Sequence, residues 1–346
     1  MKKHLFILVT VSLAASVPAG CSMISGETKI DEGVVIVLKD NIRSSTAMVA
    51  LNLAEVKRGD RLDILEQAEV KTPTQIVEWY KVRTKDSDAV VGWIEANHVV
   101  NKSVVDRINE LFEKSQQTPA QAQGRLKVQT RLRIEPDGDV ITYLSRGTKV
   151  EIAGKARTIV KSEKQPGEEA PEEETEEPES RTVLWYQIRL PESEVLRAGW
   201  VGARQVELEV PDEILHLEGE GRRFTGWVIF DQNKSKKGED KNNYIGLMKS
   251  LDVEGPIDFN RLWVLNYSPS QGRYTGAYIE GGLRGVLPVT PGIQSGRSGF
   301  TIHELDADGK SVPIEYEAIR VSADRLSVRR ISPKIEVRKA PRRPGK

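Results

Sequence analysis

Cysteine is all but absent from this sequence, with Cys21 alone among 346 residues. That excludes a disulfide framework and a thiolate metal cluster. Histidine is nearly as scarce: His4, His98, His216 and His303 are scattered, with no paired spacing that would hold a metal. Aromatic residues make up only 6% of the chain, and Lys+Arg 51 against Asp+Glu 51 leaves no net charge. A balanced charge gives no global attraction for nucleic acid or for a strongly acidic partner. Glu280, His303, Glu304 and Asp306 are accompanied by no nucleophile or metal-ligand motif, and no nucleophile elbow surrounds Ser295 to Ser298. These absences point to a protein with no catalytic residues, no metal and no cofactor. With 38% hydrophobic and 29% charged residues, two or three small cores are expected rather than one large one.

Long hydrophobic runs are missing too, except at the start. Lys2-Lys3, an apolar run from Leu5 to Val17, and Pro18-Ala19-Gly20-Cys21 follow the charged, apolar, small-residue order of a secretory signal over residues 1–20. The run is short of the roughly 20 residues that span a bilayer. Small residues directly before the only cysteine resemble the lipobox of bacterial lipoproteins. The resemblance implies that Cys21 is diacylated on sulfur and becomes the N-terminus, attaching the protein to a membrane of the bacterial cell envelope and facing the periplasm.

What the chain does contain is an internal repeat. One copy carries Asn41-Ile42-Arg43, Arg58-Gly59-Asp60-Arg61-Leu62-Asp63-Ile64, Trp79-Tyr80-Lys81-Val82 and Gly92-Trp93-Ile94. The other carries Arg131-Leu132-Arg133, Arg146-Gly147-Thr148-Lys149-Val150-Glu151-Ile152, Trp185-Tyr186-Gln187-Ile188 and Gly199-Trp200-Val201. Trp-Tyr to Gly-Trp is 13 residues in the first (79 to 92) and 14 in the second (185 to 199). Each motif is a short alternating or β-branched run punctuated by turn residues, as in small antiparallel strands. Gly59 and Gly147 suit a turn of positive φ ahead of a strand. The four ordered motifs resemble the bacterial Src-homology-3-like domain, over residues 34–101 and again over 125–208. That resemblance implies small five-stranded barrels that bind cell-wall peptide or an envelope protein. Trp79, Tyr80, Trp93, Trp185, Tyr186 and Trp200 are the ligand-binding candidates. Trp93 and Trp200 are expected in the barrel cores. Tyr80 and Tyr186, each beside an inward-pointing tryptophan, are expected to face a groove.

Between the copies, residues 102–124 read as a helix capped by Ser103, with Val104, Val105, Ile108, Leu111 and Phe112 on one face, and then a linker from Gln116 to Gly124. Residues 163–179 are rich in Glu and Pro without a large apolar side chain, which predicts a disordered acidic loop inside the second copy. Residues 209–338 read as an all-β domain, with Asp231 to Asn243 as a polar loop and the last strand candidate at 325–337. Residues 339–346 form a basic tail. The fold expected is all-β: two small Src-homology-3-like barrels joined by a short helix, followed by an antiparallel β barrel or sandwich. The function expected is a non-catalytic binding or scaffolding module of the envelope. The alternative is a carrier holding an apolar ligand in the C-terminal β domain, where Trp227, Phe230, Trp263 and Tyr278 could line a cavity or fill a core.

Overall fold

The computed structural model describes residues 28–72, 75–161, 180–219, 221–294 and 296–334. The leader with Cys21, the glutamate-rich run 163–179 and the basic tail 339–346 lie outside them. The chain is all-β, and its curled antiparallel sheets have seven strands each. The first sheet contains β1 (Asp31–Val35), β2 (Lys39–Arg43), β3 (Asn52–Lys57), β4 (Arg61–Lys71), β5 (Ile76–Thr84), β6 (Val91–Glu95) and β7 (Val99–Asn101). Helix α1 (Lys102–Gln116) follows. The second sheet contains β8 (Ala122–Leu126), β9 (Thr130–Arg133), β10 (Val140–Leu144), β11 (Lys149–Lys161), β12 (Ser180–Arg189), β13 (Ala198–Gly202) and β14 (Val206–Leu208). One helical turn, α2 (Asp212–Leu215), leads into β15 (Arg222–Lys234), β16 (Asp240–Ser250), β17 (Phe259–Ser268), β18 (Arg273–Gln294), β19 (Arg297–Leu305), β20 (Ser311–Ser322) and β21 (Arg325–Arg330).

The first sheet has the order β3–β2–β6–β5–β4–β1–β7 and the second β10–β9–β13–β12–β11–β8–β14, so each strand of one has its counterpart seven strands later. The third is a plain meander from β15 to β21. Gly59 (φ 93°) and Gly147 (φ 84°) turn the chain into β4 and β11 in the left-handed region that favours glycine. Gly92 and Gly199 bring β6 and β13 close to their neighbours. A Cβ there would come within 2.5 Å of the Arg43 carbonyl oxygen and 2.4 Å of Leu132 Cδ1.

Three apolar clusters hold the sheets. Val35, Ile42, Leu62, Ile64, Val82 and Ile94 fill the first. Phe259, Phe300, Tyr316 and aliphatic residues form the core of the third. The largest cluster is continuous from the second sheet through Val105, Ile108 and Phe112 of α1 to Val34 and Val100 of the first sheet and Phe224, Trp227 and Tyr244 of the third. The helix buries one stripe at helical spacing, as its apolar pattern dictates.

Several local expectations change. Ser103 does not cap α1: the helix starts at Lys102, and Asn101 at its N-cap makes no capping bond. The Asn101 amide instead donates to Asp31 Oδ2 at 2.8 Å, tying the helix start to β1. The expected linker 116–124 ends early, because Ala122 begins β8 and pairs with Ile152 of β11. The expected loop 231–243 is mostly strand, with its turn between Lys234 and Asp240. Its polar residues are satisfied inside the sheet: Asn233 Nδ2 donates to the carbonyls of Tyr267 (2.9 Å) and Ala323 (2.8 Å), and Arg320 Nη2 reaches Asp231 at 2.6 Å. The last strand stops at Arg330.

Candidate functional site

The parity of β5 and β12 places the aromatic pairs. Val82 and Ile188 are fully buried, so Tyr80 and Tyr186, two residues earlier, point to the same inner side. Opposite them stand Ile94 and Val201. Trp79 and Trp185 therefore lie on the outer face, the reverse of the sequence expectation. They are still well covered. Each sits across from an alanine, Ala68 or Ala156, and beneath a guanidinium, with Arg43 at 5.6 Å and Arg133 at 5.7 Å from the ring centre. Trp185 Nε1 also donates to Thr158 Oγ1 at 2.9 Å. The physical reason is volume: cores this small are filled by aliphatic side chains, and an indole fits better where an arginine stem can roof it. Trp93 and Trp200 are not core residues either. They lie half-buried on the outer face, opposite Lys81 and Arg43, and opposite Gln187 and Arg133.

The two tyrosines share a position but not an environment. Tyr186 is 8% exposed. The Lys155 ammonium lies 5.6 Å from its ring centre, and Lys155 Nζ is 3.1 Å from Asp258 Oδ1 of the third sheet's β16–β17 connection. Arg157 binds the same carboxylate oxygen. Burial, and then the Asp258 charge, push the Tyr186 phenol up to about 12 against the opposing pull of Arg157. Burial also lowers the Lys155 pKa, which Asp258 partly offsets. Beside this cluster Gln121, fully buried, joins the second and third sheets. Its Oε1 accepts from Val289 N–H (2.7 Å), its Nε2 donates to Val289 O (3.0 Å), and its carbonyl accepts from Trp227 N–H (2.7 Å). The third sheet thus seals Tyr186 away from solvent.

Tyr80 has no such cover. It lines a cleft of about 680 Å³ between the first sheet, the start of α1 and the β9–β10 hairpin of the second sheet. Glu78, Glu95, Glu135 and Asp139 face this cleft against the single cation Arg107. Ile76 and Val140 lie exposed at its rim. Burial raises the Tyr80 phenol pKa, and the charges of Glu78 and Asp31 add to it. Chemically this is a concave, half-apolar, acidic surface with one phenol, suited to an extended cationic chain and holding no nucleophile.

In the third sheet the structure brings Glu280 and Glu304 together on one guanidinium. Arg330 Nη1 lies 2.9 Å from each carboxylate, and the hydroxyls of Tyr278 and Tyr316 both donate to Glu280 Oε2 at 2.8 Å. His303 and Asp306 do not join them: His303 Nδ1 is 3.0 Å from Pro288 O, and Asp306 Oδ1 accepts from the turn N–H groups of Asp308 and Lys310. The network is a buried set of charges in which Glu280 is fully engaged, while Glu304 Oε1 is ion-paired to Arg330 but makes no hydrogen bond among the described residues. Of the aromatic residues considered for a carrier cavity, Trp227 and Trp263 pack on the central cluster, and Phe230 and Tyr278 on the core of the third sheet. Among the described residues no group of three or more His, Cys, Asp or Glu side chains could hold a metal ion.

Sequence reasoning did not find Gln121, Glu135, Asp139 or Asp258, all of which act across sheet boundaries. The available signals were weak: one of several glutamines in the stretch after α1, and acids in a turn of the second repeat. No protein-family model matches the sequence, and the search of curated proteins returned no match.

Proposed function

We propose that this chain is a lipid-anchored, non-catalytic binding module of the bacterial envelope, built on two Src-homology-3-like units, that holds an extended peptide of the cell wall. The observation that carries the reading is the acidic Tyr80 cleft, walled by both repeats and by the helix between them. Four carboxylates around a half-buried phenol favour a peptide with a free side-chain amine, and the exposed Ile76 and Val140 give its apolar stem a rim to rest on. The identical strand order of the two sheets supports the tandem assignment.

Attachment is assigned to Cys21. No described helix is long and apolar enough to cross a membrane. An apolar tip on the β2–β3 loop, with Met48 and Val49 almost fully exposed and Leu51 largely so, suits a surface held against lipid. The test has two arms. Cys21→Ser should release the protein from the membrane fraction, and retention after a high-salt wash would refute the anchor. Tyr80→Ala and the pair Glu78→Gln, Glu135→Gln should each weaken binding to purified sacculi about tenfold, the scale of one lost charge-assisted or aromatic contact. No binding of sacculi by the parent protein would remove the wall-peptide reading.

A further inference from the structure

A second cleft, of about 800 Å³, opens between the C-terminal end of α1, strands β8, β11 and β12 of the second sheet and the loop that follows β12. No residue lines both this cleft and the Tyr80 cleft. Its size falls in the range of about 300–1,000 Å³ that suits small ligands. Most charges around it are already committed. Arg189 donates from Nε to Glu151 (3.0 Å) and from Nη1 to the carbonyls of Ser115 (2.9 Å) and Thr118 (3.0 Å), closing the helix end. Glu209 pairs with Arg125 at 3.0 Å.

Arg197 is different. Its guanidinium carbon lies over the Phe112 ring, 3.9 Å from the ring centre. Its Nη2 sits 3.6 Å from Glu192 Oε1, beyond hydrogen-bond length, and that glutamate is 93% exposed. Its Nε makes no hydrogen bond among the described residues. Lys149 stands exposed at the same cleft. With the internal pairs set aside, two cations face one solvated carboxylate. The loop that carries Glu192 is fixed at its base: Leu190 N–H donates to Arg197 O at 2.8 Å, and Arg58 of the first sheet holds Ser193 O (3.1 Å) and Glu194 (2.9 Å). The cation is thus pre-positioned on an aromatic face, beside the apolar walls of Leu190, Pro191 and Pro119.

We infer that this cleft binds a carboxylate carried on a short apolar chain, with Arg197 as its anchor and Glu192 as the weak internal occupant that the ligand displaces. A planar guanidinium already seated over an aromatic ring loses little freedom on taking a carboxylate, and the apolar walls accept the chain behind it. The inference does not depend on the reading of the Tyr80 cleft.

The test is calorimetric titration of the full chain in detergent with N-acetyl-Ala-Leu-Ala as the free acid, the same peptide as its amide, and N-acetyl-Ala-Leu-Glu amide. The free acid should bind at least about tenfold more tightly than the amide, the effect of one charge-assisted contact. Binding of the glutamate peptide would show that any carboxylate serves. Its failure beside a binding free acid would show that the chain terminus is read, and either result supports the site. Arg197→Gln should lose about tenfold in affinity, Glu192→Gln should gain a few fold, and Tyr80→Ala should change nothing. Glu192→Gln does not touch the Phe112 stack, so it tests the site even where Arg197→Gln fails to fold. Equal binding of acid and amide, unchanged binding by both variants, or no heat from either acid at millimolar concentration would overturn the proposal.

Discussion

Tyr80 and Tyr186 occupy the same place in two sheets of the same strand order, and the surroundings of the two sheets give them opposite fates. In the first sheet the inner side of β5 runs out into a cleft, so the phenol stays within reach of a ligand. In the second, β11 and β12 lie under the third sheet, whose Asp258 meets Lys155 beside the ring. A repeated sequence motif therefore fixes a side-chain direction but not an accessibility. Accessibility is decided by what the chain packs on afterwards, a tertiary property.

The largest expected effect separates the tyrosines directly. Tyr186→Ala removes a ring buried in the cluster that joins the second sheet, α1 and the third sheet, and should cost about 3–5 kcal/mol, as large-to-small changes at buried aromatics do. Tyr80→Ala, at a half-open position, should cost about 1 kcal/mol or less. Urea unfolding of the two variants measures both. Equal losses would mean that Tyr80 is as much a core residue as Tyr186, and the cleft would lose its central group.

Next comes the ion cluster that seals the second tyrosine. Asp258→Asn leaves Lys155, whose side chain is 8% exposed, without its carboxylate. Breaking a buried pair from one side costs about 3 kcal/mol or more. Adding Lys155→Met should recover part of that loss, since the charge that needed a partner is gone. Additive losses in the double variant would show that the pair is not what holds the second and third sheets together.

A smaller effect tests whether the third sheet is the cover. Burial alone would raise the Glu280 pKa, but the hydrogen bonds from Tyr278 and Tyr316 and the charge of Arg330 outweigh it and hold the carboxyl below its usual range. A depressed carboxylate pKa contributes stability that is present above the unfolded value of about 4.3 and is lost as pH falls through the lower folded value. The urea midpoint of the third sheet should therefore fall on acidification from about pH 5 toward pH 3, and Glu280→Gln should flatten that fall. The amide protection of β12 around Tyr186 should drop with it, while that of β5 around Tyr80 holds. Loss at both strands together would make the covering specific to neither.

Much of the architecture could be read in the sequence because it rests on local chemistry. Gly59 and Gly147 mark turns, the Gly-Trp pairs mark corresponding strands of the repeat, and the stripe Val105, Ile108 and Phe112 marks a helix with one buried side. The direction of the Trp-Tyr pairs was not legible, because alternation gives two faces without saying which is inside. The full burial of Val82 and Ile188 decides it. Strand β16 was also missed: Tyr244-Ile245-Gly246-Leu247-Met248 is buried throughout and shows no alternation, and the Asn243 side chain beside it accepts from Tyr267 N–H, a partner far along the chain. The Tyr80 cleft was half visible, since Tyr80 came from the repeat while Glu135 and Asp139 came from a turn with no motif of its own.

The smallest effect concerns the outer faces, where the two sheets should behave alike. Arg43 over Trp79 and Arg133 over Trp185 are the same contact at 5.6 and 5.7 Å. A partly exposed cation–π pair contributes about 0.5–1 kcal/mol, so Arg43→Met should cost about that much. Arg133 also donates to the carbonyl of Gly138 in the β9–β10 turn, a bond that Arg43 has no counterpart for among its described hydrogen bonds. Arg133→Met should therefore cost about 1 kcal/mol more, the net value of one hydrogen bond. Replacing Arg133 with Lys keeps a cation over the indole but gives up the planar fork, which should restore the shared part of the loss and leave the extra part. Thermal unfolding of the three variants is the measurement. If Arg43→Met has no effect while Arg133→Met costs its full amount, the turn contact alone matters, and the tryptophans of the outer faces are held by the strands beneath them rather than by the arginines above.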